Sequence, residues 1–292
     1  KEVTVSLNFP SLYDGHYNSR INVFDEEVNY LWRSIEVGKY SFGFESEVYS
    51  SLNFPRITSV QKFPYSSFPS ELGVYLQETE IINYRTGDIG KKAREIVEGE
   101  TDFYEAVFKI AKWVNQNVKY VKEEQTIQYS QNANWVLEKR IGVCDEITNL
   151  FIAMLRSIGI PSRFVSGVSF SDSIEGFGNH AWAEVYFPDY GWVPFDVTYS
   201  EYGFIDSSHI QFYSSIDGSA SSVDYSWKGG KVTSSSKELD ITAEFLGSSG
   251  RLFLDFDVEI VPLKNNLGGG SYVPLKIIVT NSENFYLPLS FR

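Results

Sequence analysis

The stretch Gly142-Val143-Cys144-Asp145-Glu146-Ile147-Thr148-Asn149-Leu150-Phe151-Ile152-Ala153-Met154-Leu155-Arg156-Ser157-Ile158-Gly159-Ile160-Pro161 decides the fold. Cys144, Ile147, Leu150, Phe151, Met154, Leu155 and Ile158 recur at three and four residues, the period of a helix with one apolar face. Gly159 can take the left-handed conformation that closes a helix, and Pro161 cannot continue one. The reading is a helix from about Cys144 to Ile158, with the chain's single cysteine in its first turn.

Downstream, three segments read as strands: Ser162–Phe170, Asn179–Phe187 and Gly191–Thr198. The turn signal Pro188-Asp189-Tyr190-Gly191 makes the last two an antiparallel hairpin. Within it His180, Trp182, Glu184 and Tyr186 share one face, and Ala181, Ala183, Val185 and Phe187 the other. A turn centred between Asp189 and Tyr190 sets Asp196 opposite Ala183. A bulge, or a centre at Pro188, would pair Asp196 directly with His180.

Upstream, Ile89, Ala93, Ile96 and Val97 fit a helical stripe closed by Gly99. Asp102 can cap a second helix bearing Phe103, Ala106, Val107, Ile110 and Val114. A third, short helix ends near Arg140. Residues 1 to about 85 read as strands and turns, with Gly73–Leu76 and Glu80–Ile82 β-like. After about Ser215 the composition turns to Ser, Gly and Asp, then β-like again in Leu252–Phe256 and Lys276–Val279, with Gly268-Gly269-Gly270 at a turn. The expected layout is therefore α+β: a central domain over 86–215, flanked by β-rich, sandwich-like domains over 1–85 and 216–292.

Three residue types in this arrangement point to one chemistry. A helix N-terminus carries unpaired N–H groups and partial positive charge, which favour a thiolate at Cys144 and can receive an oxyanion. A neutral thiol needs a base, and the chain holds only His16, His180 and His209. His180 is the nearest in sequence to the cysteine. A carboxylate on the other ring N–H would fix the imidazole's tautomer and orientation, and Asp196 is the candidate. The expected catalytic set is Cys144, His180 and Asp196; His209, in Asp206-Ser207-Ser208-His209, is expected to be structural or at the surface. Trp182, Trp192, Phe195 and Tyr199 either line an acyl-binding cleft or belong to the core. Gly142 would let backbone or substrate come close to the thiol.

The blocks Gly142–Glu146, Leu155–Arg163, His180–Val185 and Gly191–Asp196 together resemble the transglutaminase-core superfamily, over roughly residues 90 to 210. The resemblance implies a papain-like fold, with the cysteine-bearing helix packed on a sheet that bears the histidine and aspartate. It also implies nucleophile, base and orienting roles for Cys144, His180 and Asp196. Members of that family include crosslinking enzymes, peptidases, amidases and inactive relatives. A second oxyanion donor should lie upstream of the cysteine, at Gln128, Tyr129, Gln131 or Trp135.

Other classes find little support. The formal net charge is −13, from 25 Lys plus Arg against 38 Asp plus Glu, so a phosphate backbone would be repelled. No apolar run approaches the roughly 18 residues of a membrane span. Three widely spaced histidines and one cysteine do not suggest a zinc site, and neither a calcium loop nor a phosphate loop appears. No cofactor or metal is expected, and the expected partner is a protein or peptide substrate. One cysteine allows no internal disulfide. The first residue is Lys1, which suggests a processed chain and an extracellular or cell-surface location.

Overall fold

The structure is a computed structural model. It describes residues 3–6, 22–24, 27–29, 45–48, 50, 52, 55–121, 131–172, 174–219, 242–247, 256–264, 266, 268–270 and 272–286. Two compact units divide the chain, residues 1–51 and 52–292. In the first, β1 (Val3–Ser6) pairs antiparallel with β4 (Glu45–Val48), and β2 (Asn22–Phe24) with β3 (Glu27–Asn29).

The second unit is built around one helix. Its helices are α1 (Ile89–Ile96), α2 (Phe103–Asn117), α3 (Ala133–Lys139) and α4 (Cys144–Ser157). In α4 the residues from Ile147 to Leu155 are all buried, so the helix is covered on every side rather than along one stripe. Its termination is a Schellman motif: Gly159 N–H donates to the Arg156 carbonyl and Ile160 N–H to the Leu155 carbonyl, each at 3.0 Å, with Gly159 at φ 84°. At the start of α2, Asp102 accepts the Tyr104 N–H at 2.8 Å, the cap the sequence suggests.

A five-stranded sheet lies against α4, in the order β10 (Glu201–Tyr202), β9 (Gly191–Asp196), β8 (Gly176–Phe187), β7 (Ser162–Ser171) and β11 (Ile210–Ser215). All four pairings are antiparallel. Ala181, Ala183, Val185 and Phe187 join the core cluster with Leu150, Phe151 and Met154. A short parallel pair, β5 (Lys119–Tyr120) with β6 (Ile141–Gly142), brings the end of α2 beside the start of α4. This is the mixed α/β core that the resemblance implies.

Arg156 ties the block after α4 together. Its buried guanidinium donates to the carbonyls of Ser162, Gln77 and Ile216. Burial, only partly offset by Asp217, pulls its pKa down to about 10.

Two β-like expectations fail, Gly73–Leu76 and Glu80–Ile82. Residues Ser70–Leu76 form a 3-10 helix, not a strand, with Leu72 buried and Val74 exposed. Glu80–Ile82 is also outside any strand, although Ile82 is fully buried. Further on, β12 (Phe256–Pro262) and β13 (Leu275–Asn281) form an antiparallel hairpin containing the expected Lys276–Val279 strand. Leu252–Asp255 lie outside the described residues. Past β13, the Tyr286 ring packs on Tyr104, tilted by 31° with centroids 4.6 Å apart, and its hydroxyl donates to the Asp102 carboxylate.

Candidate active site

Cys144 is the first residue of α4, and the chain enters that helix under tight constraint. The Glu146 carboxylate accepts the Val143 N–H at 2.9 Å and the Gln131 N–H at 3.0 Å, and the residue is fully buried. Gly142 is glycine for the same reason: a Cβ there would lie 2.6 Å from the Glu146 Cβ. What comes close at Gly142 is therefore the Glu146 side chain, not the backbone or substrate that the sequence suggests.

The thiol is buried, at 8% exposure, and the Ala181 N–H from β8 donates to it. Thr148 donates to the carbonyl of the same Ala181 at 3.3 Å, so this residue of β8 is fastened through both backbone polar groups to the first turns of α4. Burial, then the adjacent Asp145 carboxylate 3.6 Å from Sγ, pushes the thiol well above its ordinary pKa. This differs from the thiolate expected at a helix N-terminus. The helix terminus is present, but desolvation and a neighbouring anion outweigh it.

His180 immediately precedes Ala181. Its Nε2 lies 2.6 Å from Asp196 Oδ2, and both side chains are buried. Asp196 Oδ1 accepts the Tyr199 N–H at 3.0 Å, and the Tyr199 ring stacks on His180 with centroids 4.4 Å apart. Burial opposes ionisation of Asp196, but the two imidazoles on it hold its carboxyl well below the usual carboxylate range. An ionised Asp196 places the proton on Nε2 of a neutral His180 ring and leaves Nδ1 as the basic nitrogen.

The hairpin register explains the pairing. Ala183 faces Phe195 and Phe187 faces Gly191, so the hairpin is centred on Asp189, itself left-handed at φ 66°. That is one residue from the register centred between Asp189 and Tyr190. The shift matters because side chains alternate along a strand. The expected register would put Asp196 on the Ala183 face, against α4; the observed one aligns it with Trp182, on the His180 face.

His209 is where the sequence reading was incomplete. It is not at the surface: its side chain has no exposure, Nε2 lies 3.0 Å from Asp196 Oδ2, and Nδ1 lies 2.9 Å from Asp206 Oδ1. Glu201 is 3.9 Å from Nδ1. Although burial disfavours the charged ring, its bonds to Asp196 and Asp206 push its pKa up to about 9. Burial raises Glu201 to about 7. Gly167 makes room for this: a Cβ there would meet the Ile210 carbonyl at 2.1 Å and Trp182 at 2.9 Å, so its absence lets the chain after His209 close onto β7.

Two histidines and Asp196 do come together in space, contrary to the impression given by their sequence separation. Their contacts are those of hydrogen bonds. The Nε2–Oδ2 separations of 2.6 and 3.0 Å lie within the hydrogen-bond range.

Among the aromatic candidates, Trp182 and Phe195 are core, with Phe195 packed on Phe151. Trp192 sits under the Arg163 guanidinium at 4.4 Å. Tyr199 stacks on His180, and Trp182, though core, makes ring contacts with His180 and His209. Tyr120 on β5 borders the thiol and is pushed up to about 12 by burial and then by Cys144. Of the proposed oxyanion donors, Gln128 and Tyr129 lie outside the described residues, the Gln131 N–H is held by Glu146, and Trp135 packs on the core.

Residues 90–197 match the family model of the Transglutaminase-like superfamily, so the chain carries a transglutaminase-like core. The uncharacterised Bacillus subtilis (strain 168) protein YebA is 26% identical over 179 residues, 56% of this chain and 23% of that one. The chain therefore spans about a quarter of that curated relative's length. A candidate cysteine protease from Cytophaga hutchinsonii superposes with a TM-score of 0.46 and 22% identity, over 54% of this chain and 51% of that one. The periplasmic domain of TgpA from Pseudomonas aeruginosa does so with a TM-score of 0.37 and 21% identity, over 46% of this chain and 49% of that one. No helix among the described residues is long and apolar enough to cross a membrane.

Proposed function

We propose that this chain is a thiol acyl-transfer enzyme acting on peptide or glutamine amide bonds, and specifically a cysteine peptidase or amidase. The observation that carries the reading is the buried 2.6 Å bond between His180 and Asp196, one residue away from the Ala181 peptide that is fastened to Cys144.

The roles follow from the charges. Cys144 rests as a thiol, so the base must take its proton as Sγ attacks the carbonyl carbon. His180 accepts it, and Asp196 stabilises the imidazolium that forms. The oxyanion of the tetrahedral intermediate is stabilised by N–H groups at the start of α4. Collapse expels the amine, protonated by His180, and leaves a thioester on Cys144. Water, activated by the same imidazole, then releases the acid. Attack by an amine in place of water would make the protein a glutamine transferase instead. A core that has kept this geometry but lost turnover would be a binding module.

Incubation with casein and a fluorescent primary amine separates these outcomes. New amino termini that depend on Cys144 support hydrolysis. Cys144-dependent incorporation of the amine supports transfer. Neither, with several protein substrates and folded protein, refutes the enzyme reading. The Cys144→Ala variant sets the background. The net charge of −13 favours a protein or peptide partner over a phosphate backbone, and a cell-surface or extracellular setting suits one.

A further inference from the structure

We infer that His209 is a positioning residue that holds a buried positive charge on the far side of Asp196, and that this charge limits how tightly Asp196 can hold a proton on His180. The inference rests on the His180–Asp196 pairing proposed above and extends it by one residue.

The geometry is specific. His180 and His209 both direct Nε2 at the same oxygen, Asp196 Oδ2, at 2.6 and 3.0 Å. One carboxylate therefore serves two rings whose centroids are 5.6 Å apart. On its other side His209 meets Asp206 at 2.9 Å and Glu201 at 3.9 Å, while Asp206 also accepts the Ser208 N–H and hydroxyl. A ring with carboxylates on both nitrogens and no exposure must donate from both, which makes it an imidazolium. Its pKa near 9 agrees.

The consequence is electrostatic. If Asp196 had His180 as its only charged partner, its full charge would favour the protonated imidazole, a poor acceptor for the thiol proton. A fixed cation on the same oxygen offsets part of that field, and at this separation the repulsion between two protonated rings is large. The groups facing His180 are Asp196, His209, Tyr199 and Asp145; those facing His209 are Asp196, Asp206, Glu201 and His180, with Trp182 and Tyr199 as ring contacts. Only His209 supplies a permanent positive charge among them near neutral pH.

Two measurements test this, neither needing turnover. Nitrogen-15 NMR of the intact, unmutated protein should show both His209 nitrogens protonated at pH 7, with titration near pH 9. A neutral His209 at pH 7 overturns the inference. The pH dependence of iodoacetamide alkylation of Cys144 is then compared between wild type and His209→Gln. Loss of the cation should move the acid limb up by about one pH unit, a roughly tenfold slower reaction at a fixed pH on that limb. An unmoved limb in folded His209→Gln makes His209 purely structural and overturns the inference. If casein and amine assays fail while these results hold, the activity reading falls and the charge network stands.

Discussion

Replacing Glu146 with Gln tests how the nucleophile is held. The carboxylate is fully buried and spends one oxygen on the Val143 N–H at 2.9 Å and the other on the Gln131 N–H at 3.0 Å. Because both oxygens accept, the group is needed as an anion, although burial raises its pKa. Glutamine keeps the shape and one acceptor but turns an NH2 group toward the second N–H. The change removes two charge-assisted bonds worth about 1.5–3 kcal/mol each and leaves one buried donor facing another. Some of that is recovered, because the neutral amide is cheaper to bury than an anion. A net loss of about 2–4 kcal/mol is expected. Chemical denaturation of Glu146→Gln against wild type measures it, with Cys144 alkylation reporting whether the helix start has moved. A loss under about 0.5 kcal/mol, with unchanged alkylation, would refute the claim that Glu146 fixes the Cys144 turn.

Arg156→Met should cost about 3 kcal/mol in the same assay, because three backbone carbonyls lose a charged donor while the side-chain volume is roughly kept; a neutral result would show that the clamp is dispensable. Stability should also depend on pH through His209. Its pKa rises from 6.5 to about 9 on folding, so its contribution is complete below pH 6.5 and disappears as pH rises through 9. The upper bound is about 3 kcal/mol. Glu201, raised from 4.5 to about 7, changes in the same direction at lower pH. Thermal denaturation between pH 6.5 and 9 should therefore show a falling midpoint, and His209→Gln should flatten it. A wild-type midpoint that is level or rising there contradicts the assignment of charge to His209.

The central helix and its hairpin partner were legible because their signals are local. Seven apolar positions at helical spacing, a glycine and a proline fix α4, and period-two alternation fixes β8. The face on which Asp196 lies was not, since it depends on one residue of turn register, decided by Asp189 adopting a left-handed conformation. His209 was missed for a different reason. Its partner Asp206 is three residues away and could have been noticed, but its contact with Asp196 requires the chain to pass from β10, at one edge of the sheet, to β11 at the opposite edge. No periodicity encodes that closure; Gly167, mute in the sequence, permits it. At Ser70–Leu76, four apolar or small residues from Gly73 carry too short a pattern to separate strand from 3-10 helix, and burial of Leu72 settled the local choice.

In the proposed reaction Cys144 takes an acyl group with His180 as its base. Mass spectrometry of the acid-quenched protein after mixing with casein peptides tests it most directly. A mass increase on the Cys144 peptide that hydroxylamine removes, and that His180→Ala abolishes, is the predicted result. An adduct elsewhere, or one that persists unchanged in His180→Ala, would contradict it.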